Sequence, residues 1–193
     1  MLMTNDDIHF YPHDRALNWI LVRFIPRWIK PNHLTIARFC LIIPVLALLY
    51  VRNWPWALGL FLFAAFTDAL DGTMARMRKQ ITVWGTIADP IADKMLIGSV
   101  VVLFVAEEVN PWFSALIVFM EILIIAGAVY RQRRGALSSS NEYGKIKMIL
   151  QVVGVSLLML ARIFGIPLAV HFAVGTLSVA IVFAIVSLLT YGL

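Results

Sequence analysis

The chain has 193 residues, 61% hydrophobic and only 14% charged, with 16 Lys and Arg against 11 Asp and Glu for a formal net charge of +5. That balance excludes an ordinary soluble domain, and the lone Cys40 excludes an internal disulfide and reads as a small core residue. No basic run with interleaved aromatics points to nucleic acid; the positive balance of so apolar a chain suits anionic lipid head groups or phosphorylated substrates.

Residues 1–13 are polar and acidic, so a cleaved leader is not expected. Over 14–30, Leu17, Ile20, Leu21, Phe24 and Trp28 recur at helical spacing, with Arg15, Asn18, Arg23 and Lys30 away from that stripe. The segment is too short and too charged to span a bilayer. It predicts an interfacial amphipathic helix, bent at Pro26.

Six apolar segments follow, at about 33–52, 55–78, 86–106, 111–131, 145–162 and 168–191, each near the roughly 20 residues that a bilayer core demands. Pro31-Asn32, Asn53-Trp54-Pro55, Asn110-Pro111 and Gly165-Ile166-Pro167 supply the turns between most of them. Trp54, Trp56, Trp84 and Trp112 fall near segment ends, where amphipathic rings favour the membrane interface. The expected fold is an all-α integral membrane protein: a polar N-terminus and interfacial helix over 1–30, then a six-helix transmembrane domain over 31–193. One side carries the amphipathic helix with Arg76, Arg78, Lys79, Arg131, Arg133, Arg134, Lys145 and Lys147. The other carries Arg52 and Arg162 beside Glu107 and Glu108. Because basic loops stay inside, both termini and the intervening aspartates are expected at the cytoplasmic face, in a bacterium the inner membrane.

Those aspartates are the costly feature. Between Asp68 and Asp93 the chain places four carboxylates where two apolar segments meet, and charge there marks a functional site. Asp68 and Asp71 are three apart and Asp89 and Asp93 four apart, so on helices each pair shares a face. A lone aspartate at a span end is ordinarily solvated or a cap. Four of them beside Gly72, Ala75, Arg76 and Gly85 ask for more. Carboxylates are hard ligands and suit Mg²⁺ or Mn²⁺, while His9, His13, His33 and His171 are too scattered for zinc. Two divalent cations would balance the four charges and suit chemistry at a phosphate. Gly72 and Ala75 leave room for a bulky ligand, and Arg76 can meet a phosphate.

The run D-x2-D-G-x2-A-R-x8-G-x3-D-x3-D, with eight fixed positions over 26 residues, resembles the signature of the CDP-alcohol phosphatidyltransferase family. The interfacial helix and six spans are similar to that family's architecture. The resemblance implies an enzyme in which the hydroxyl of an alcohol attacks the β-phosphate of CDP-diacylglycerol and CMP leaves. It implies Asp68, Asp71, Asp89 and Asp93 as ligands of two Mg²⁺ or Mn²⁺ ions, and Asp93 as general base. It further implies Asp68, Asp71, Gly72, Ala75, Arg76 and Gly85 around the CDP moiety, and a homodimer as the common assembly. Pro31-Asn32-His33-Leu34-Thr35-Ile36-Ala37-Arg38 and Asp89-Pro90-Ile91-Ala92-Asp93-Lys94 resemble motifs of the branch that holds the phosphatidylglycerophosphate synthases and related cardiolipin synthases, and Gly144-Lys145-Ile146-Lys147 with Gln151 resembles a motif of the former. Glycerol 3-phosphate is then the expected acceptor, with inositol phosphate or phosphatidylglycerol as alternatives. A phosphorylated acceptor needs fixed cations, and Arg38, Arg131, Lys145 and Lys147 stand near the cytoplasmic span ends. Glu121, near the middle of the fourth span, requires a partner inside the bundle. An ion-coupled transporter would also bury carboxylates, but it would not need these glycines and Arg76 at fixed offsets, and no inverted repeat is visible.

Overall fold

The computed structural model describes residues 31–77, 83–133 and 142–191, so the expected interfacial helix over 14–30 lies outside the described residues. Six long helices are present among them: α1 (Pro31–Tyr50), α2 (Trp54–Met77), α3 (Val83–Val100), α4 (Pro111–Arg133), α5 (Glu142–Phe164) and α6 (Pro167–Tyr191). Beyond its last residue α3 continues through a π-helical turn, Val101–Val105, and a short α-helical turn, Ala106–Glu108. Each apolar segment of the sequence thus becomes one helix, and the described residues are all-α. Among the described residues, three stretches are long and apolar enough to cross a membrane: Asn32–Tyr50, Glu142–Phe164 and Pro167–Thr190. Large apolar side chains such as Ile43, Phe63, Phe119 and Leu189 are exposed, as the lipid-facing surface of an integral membrane protein requires.

Local chemistry explains the helix ends. At the end of α1 the Asn53 N–H reaches the Leu48 carbonyl (2.9 Å) and the Arg52 N–H reaches that of Leu49 (3.0 Å). This double closure needs a left-handed residue, and Arg52 supplies it at φ 57°. The end of α5 is closed in the same way by Gly165 at φ 65°, with the Ile166 N–H on the Ala161 carbonyl at 3.1 Å. Asn110 caps α4: its Oδ1 accepts the Trp112 N–H at 2.8 Å, and Pro111 takes the first helical position, where a missing N–H costs least. In the π-helical turn the Val101 carbonyl accepts both the Ala106 N–H and the Ser114 hydroxyl, the latter at 2.9 Å from α4.

The chain forms two compact units. The first comprises described residues 31–44, 63–77 and 83–96; the second comprises 45–62, 97–133 and 142–191. On α1 the buried positions Thr35, Arg38, Ile42, Val45 and Leu49 form one stripe at helical spacing. Cys40, expected in the core, is exposed because it lies on the face opposite that stripe. The first unit's core takes Ala64, Thr67, Leu70 and Met74 from α2 and Ala92 and Leu96 from α3. In the second, α5 packs along α6, and a Cβ on Gly154 would lie 2.7 Å from Leu177 Cγ, so the close approach of these helices depends on the missing side chain. Trp54 also meets Phe104 there, ring centroids 5.2 Å apart.

Candidate active site

The aspartate motif lies on the α2 and α3 portions of the first unit. Helical periodicity places Asp68 one turn before Asp71, with Gly72, Ala75 and Arg76 in the remaining turns of α2. Gly85 and Asp89 occupy the first two turns of α3 and Asp93 the next. The side chains of Asp71, Arg76 and Asp89 lie outside the described residues; those of Asp68 and Asp93 are described, and both are half-buried.

Asp68 is held from a third helix. Arg38 of α1 is fully buried, and its guanidinium NH1 lies 2.7 Å from Asp68 Oδ1. A guanidinium stays charged at any physiological pH, so in an apolar core it requires a carboxylate. The buried stripe of α1 places Arg38 toward the core, and α2 meets it with Asp68. The Asp68 side chain keeps 21% of its surface while that of Arg38 keeps none. The pair is therefore closed on the arginine side and open on the carboxylate side.

The donor chemistry fits a hard divalent cation: Asp68 and Asp93 present carboxylates from two helices of one unit, and Asp71 and Asp89 stand one turn from them on the same two helices. Among the described residues no three His, Cys, Asp or Glu side chains gather as a complete metal site.

The four cations expected to meet an acceptor phosphate have different surroundings. Arg38 is engaged with Asp68. Lys147 is buried in the second unit with its Nζ donating to Glu121 Oε1 at 2.5 Å, and Gln151 Nε2 donates to the same oxygen at 2.9 Å. Glu121 Oε2 is buried without a hydrogen-bond partner among the described residues. This is the partner that the sequence required for Glu121 without naming it. Lys147 and Gln151 are one helical turn apart on α5, a spacing that could have suggested a shared partner. Lys145, two residues before Lys147 and so on another face, is exposed and lies 3.4 Å from Glu142. Arg131 is in the last turn of α4, its side chain outside the described residues.

The second unit also gathers the charges expected on the opposite side of the membrane. Arg52 pairs with Glu107 at 2.6 Å, and Arg162 pairs with Glu108. With Trp54 these four line a polar cavity of about 270 Å³. None of them belongs to the aspartate motif.

Comparison with known proteins bears on what such a site does. Residues 28–190 match the CDP-alcohol phosphatidyltransferase family. A Bacillus subtilis protein named CDP-diacylglycerol–glycerol-3-phosphate 3-phosphatidyltransferase is 29% identical over 174 residues, covering 81% of this chain and 90% of its own. Proteins of the same name in Cereibacter sphaeroides (33% identical to this chain over 141 residues, 69% of this chain and 64% of that one) and in Rickettsia typhi (34% over 137 residues, 67% and 75%) are also similar to this chain.

Proposed function

Since the chain belongs to the CDP-alcohol phosphatidyltransferase family, we propose that it transfers a phosphatidyl group from CDP-diacylglycerol to glycerol 3-phosphate, releasing CMP. The observation that carries this reading is the motif itself: all eight positions are filled, its first and last aspartates stand on two helices of one compact unit, and relatives that align over most of this chain bear that activity in their names.

In the proposed reaction the acceptor hydroxyl oxygen bonds to the β-phosphorus of CDP-diacylglycerol. The bond from that phosphorus to the oxygen bridging to CMP breaks, and CMP leaves with the electron pair. Asp93 takes the hydroxyl proton, a role suited to a half-buried carboxylate one helical turn from Asp89. Asp68, Asp71, Gly72, Ala75, Arg76 and Gly85 bind the CDP moiety: the small residues admit it close to the helix backbone, and Arg76 supplies a planar fork of donors for a phosphate. Asp68, Asp71, Asp89 and Asp93 would hold two Mg²⁺ or Mn²⁺ ions, which when bound neutralise the pyrophosphate and stabilise charge on the departing oxygen. Arg131 and Lys145 remain the cations proposed for the acceptor on the strength of the sequence motif, whereas Lys147, which the motif also offered, is buried against Glu121.

All six helices span in this reading, with the 14–30 segment lying on the membrane, both termini and the site cytoplasmic, the bacterial inner membrane as host and a homodimer as the assembly. The positive-inside distribution and the apolar lengths of α1, α5 and α6 support the topology, and the homodimer is what the family resemblance implies.

The test is CMP release by purified protein supplied with CDP-diacylglycerol, Mn²⁺ or Mg²⁺ and, in parallel, glycerol 3-phosphate, inositol phosphate, serine or phosphatidylglycerol. Release with glycerol 3-phosphate is expected. Release only with another acceptor would replace the substrate, and none with any acceptor would remove the reading.

A further inference from the structure

Arg38 raises a question that its place in the sequence motif does not answer. It stands among cations expected to meet the acceptor phosphate, yet its side chain has no exposed surface. A soluble phosphate has no open route to such a group. What Arg38 does reach is Asp68 Oδ1, at 2.7 Å, and it is Asp68 that carries the accessible surface. We propose that Arg38 is a positioning residue: it orients the Asp68 carboxylate for the divalent cation, and it does not itself bind the acceptor. This inference rests on the metal-dependent reading above.

The physical argument has three steps. A carboxylate ligand must be ionised and correctly turned before a cation arrives, and an oriented partner removes freedom that binding would otherwise have to restrict. Arginine suits that task because its guanidinium is rigid, planar and permanently charged, whereas a lysine ammonium is a point charge on a flexible stem. Finally, Arg38 is itself held, being flanked at helical spacing by the buried Thr35 and Ile42 on one stripe of α1. The orientation of Asp68 on α2 is thereby referred to the packing of α1, a helix that carries none of the four aspartates.

The experiment measures Mn²⁺ binding to purified full-length protein without substrates, by the electron paramagnetic resonance signal of free Mn²⁺, for wild type, Arg38→Gln, Arg38→Lys and Glu121→Gln. The last variant alters a second buried ion pair, that of Glu121 with Lys147, and controls for a general loosening of the bundle. Removing an orienting partner typically weakens metal binding by about 10–100-fold. Arg38→Gln is expected to lie in that range, Arg38→Lys between it and wild type, and Glu121→Gln at wild type. In the CMP-release assay the Mn²⁺ concentration for half-maximal rate should rise by the same factor, while the KM for glycerol 3-phosphate at saturating Mn²⁺ stays within about twofold. If Arg38→Gln cannot be purified folded, Arg38→Lys decides, since it retains a buried positive charge and loses the rigid, planar guanidinium that lies against Asp68.

Wild-type Mn²⁺ affinity in the Arg38 variants, or a rise confined to the KM for glycerol 3-phosphate, overturns the inference and leaves the proposed reaction standing. A wild type that neither binds Mn²⁺ nor releases CMP overturns the reading beneath it, and the inference with it.

Discussion

Two buried ion pairs in this chain can be set side by side. In the first unit Arg38 of α1 meets Asp68 of α2; in the second Lys147 of α5 meets Glu121 of α4. Each pairs a carboxylate with a cation across two helices in apolar surroundings, where either charge alone would be costly. They differ in what the carboxylate does with its remaining surface. Asp68 opens 21% of its side chain outward, next to a motif of three more aspartates. Glu121 is closed in: one oxygen takes both Lys147 and Gln151, and the other is buried. The same chemistry can thus hold helices together or, in the reading proposed for Asp68, present a ligand, and the exposure of the carboxylate separates the two pairs.

That contrast can be broken most forcefully at Glu121. Glu121→Ala leaves the Lys147 ammonium buried and uncompensated, a loss of about 3–5 kcal/mol. A marked fall in the unfolding midpoint in detergent is expected, largely recovered when Glu121→Leu is combined with Lys147→Met. An unchanged midpoint in the single variant would mean the pair is not closed. On the other side, Asp93→Asn should lower CMP turnover by about 10²-fold or more, the scale for losing a general base, while nucleotide binding and the midpoint remain. Full turnover would take Asp93 out of the mechanism.

Smaller effects sharpen the reading of the second unit as a packed frame. Gly154→Ala drives a methyl into Leu177, whose Cγ would be 2.7 Å away, and should cost about 1–3 kcal/mol. Adding Leu177→Ala should relieve the clash, and a fully stable Gly154→Ala would show that α5 and α6 can separate at little cost. The smallest change is expected for Arg52→Gly. It removes an exposed ion pair with Glu107 worth about 0–1 kcal/mol, and it relieves a left-handed backbone that disfavours a side chain by roughly 1–2 kcal/mol. The midpoint should hold or rise slightly. A large fall would show that the Arg52–Glu107 and Arg162–Glu108 cluster is a stronger clamp than its exposure suggests.

Much of the fold was legible because its signals are local. Asn110-Pro111 caps and starts α4, Gly165 ends α5, and the apolar lengths separate the six helices. The aspartate motif was legible for the same reason, since spacings of three and four carry meaning on any helix. Other features were not. The sequence marked Asn53-Trp54-Pro55 as the first turn, but the left-handed residue is Arg52, because the hydrogen bonds that close α1 select the position and not the residue type. Cys40 looked like core only because its neighbours in the chain are apolar, and in a bundle facing lipid an apolar run does not say which face is inside. Arg38, Lys145 and Lys147 read alike as basic residues near span ends, yet two are buried against carboxylates and one is exposed.

By itself, then, the sequence determined the class of molecule, the six long helices of the described residues, their ends to within a few residues, and the eight positions of the aspartate motif. These follow from hydrophobic length, turn chemistry and helical period, all properties of neighbouring residues. Tertiary structure decided which carboxylate answers each buried cation, that Asp68 opens outward while Glu121 does not, and that α5 and α6 meet at Gly154. Those outcomes depend on residues far apart in the chain: 30 positions separate Arg38 from Asp68 and 26 separate Glu121 from Lys147. An ion pair is stable in an apolar core only when two separately specified helix faces coincide, and that coincidence is a property of the packed bundle.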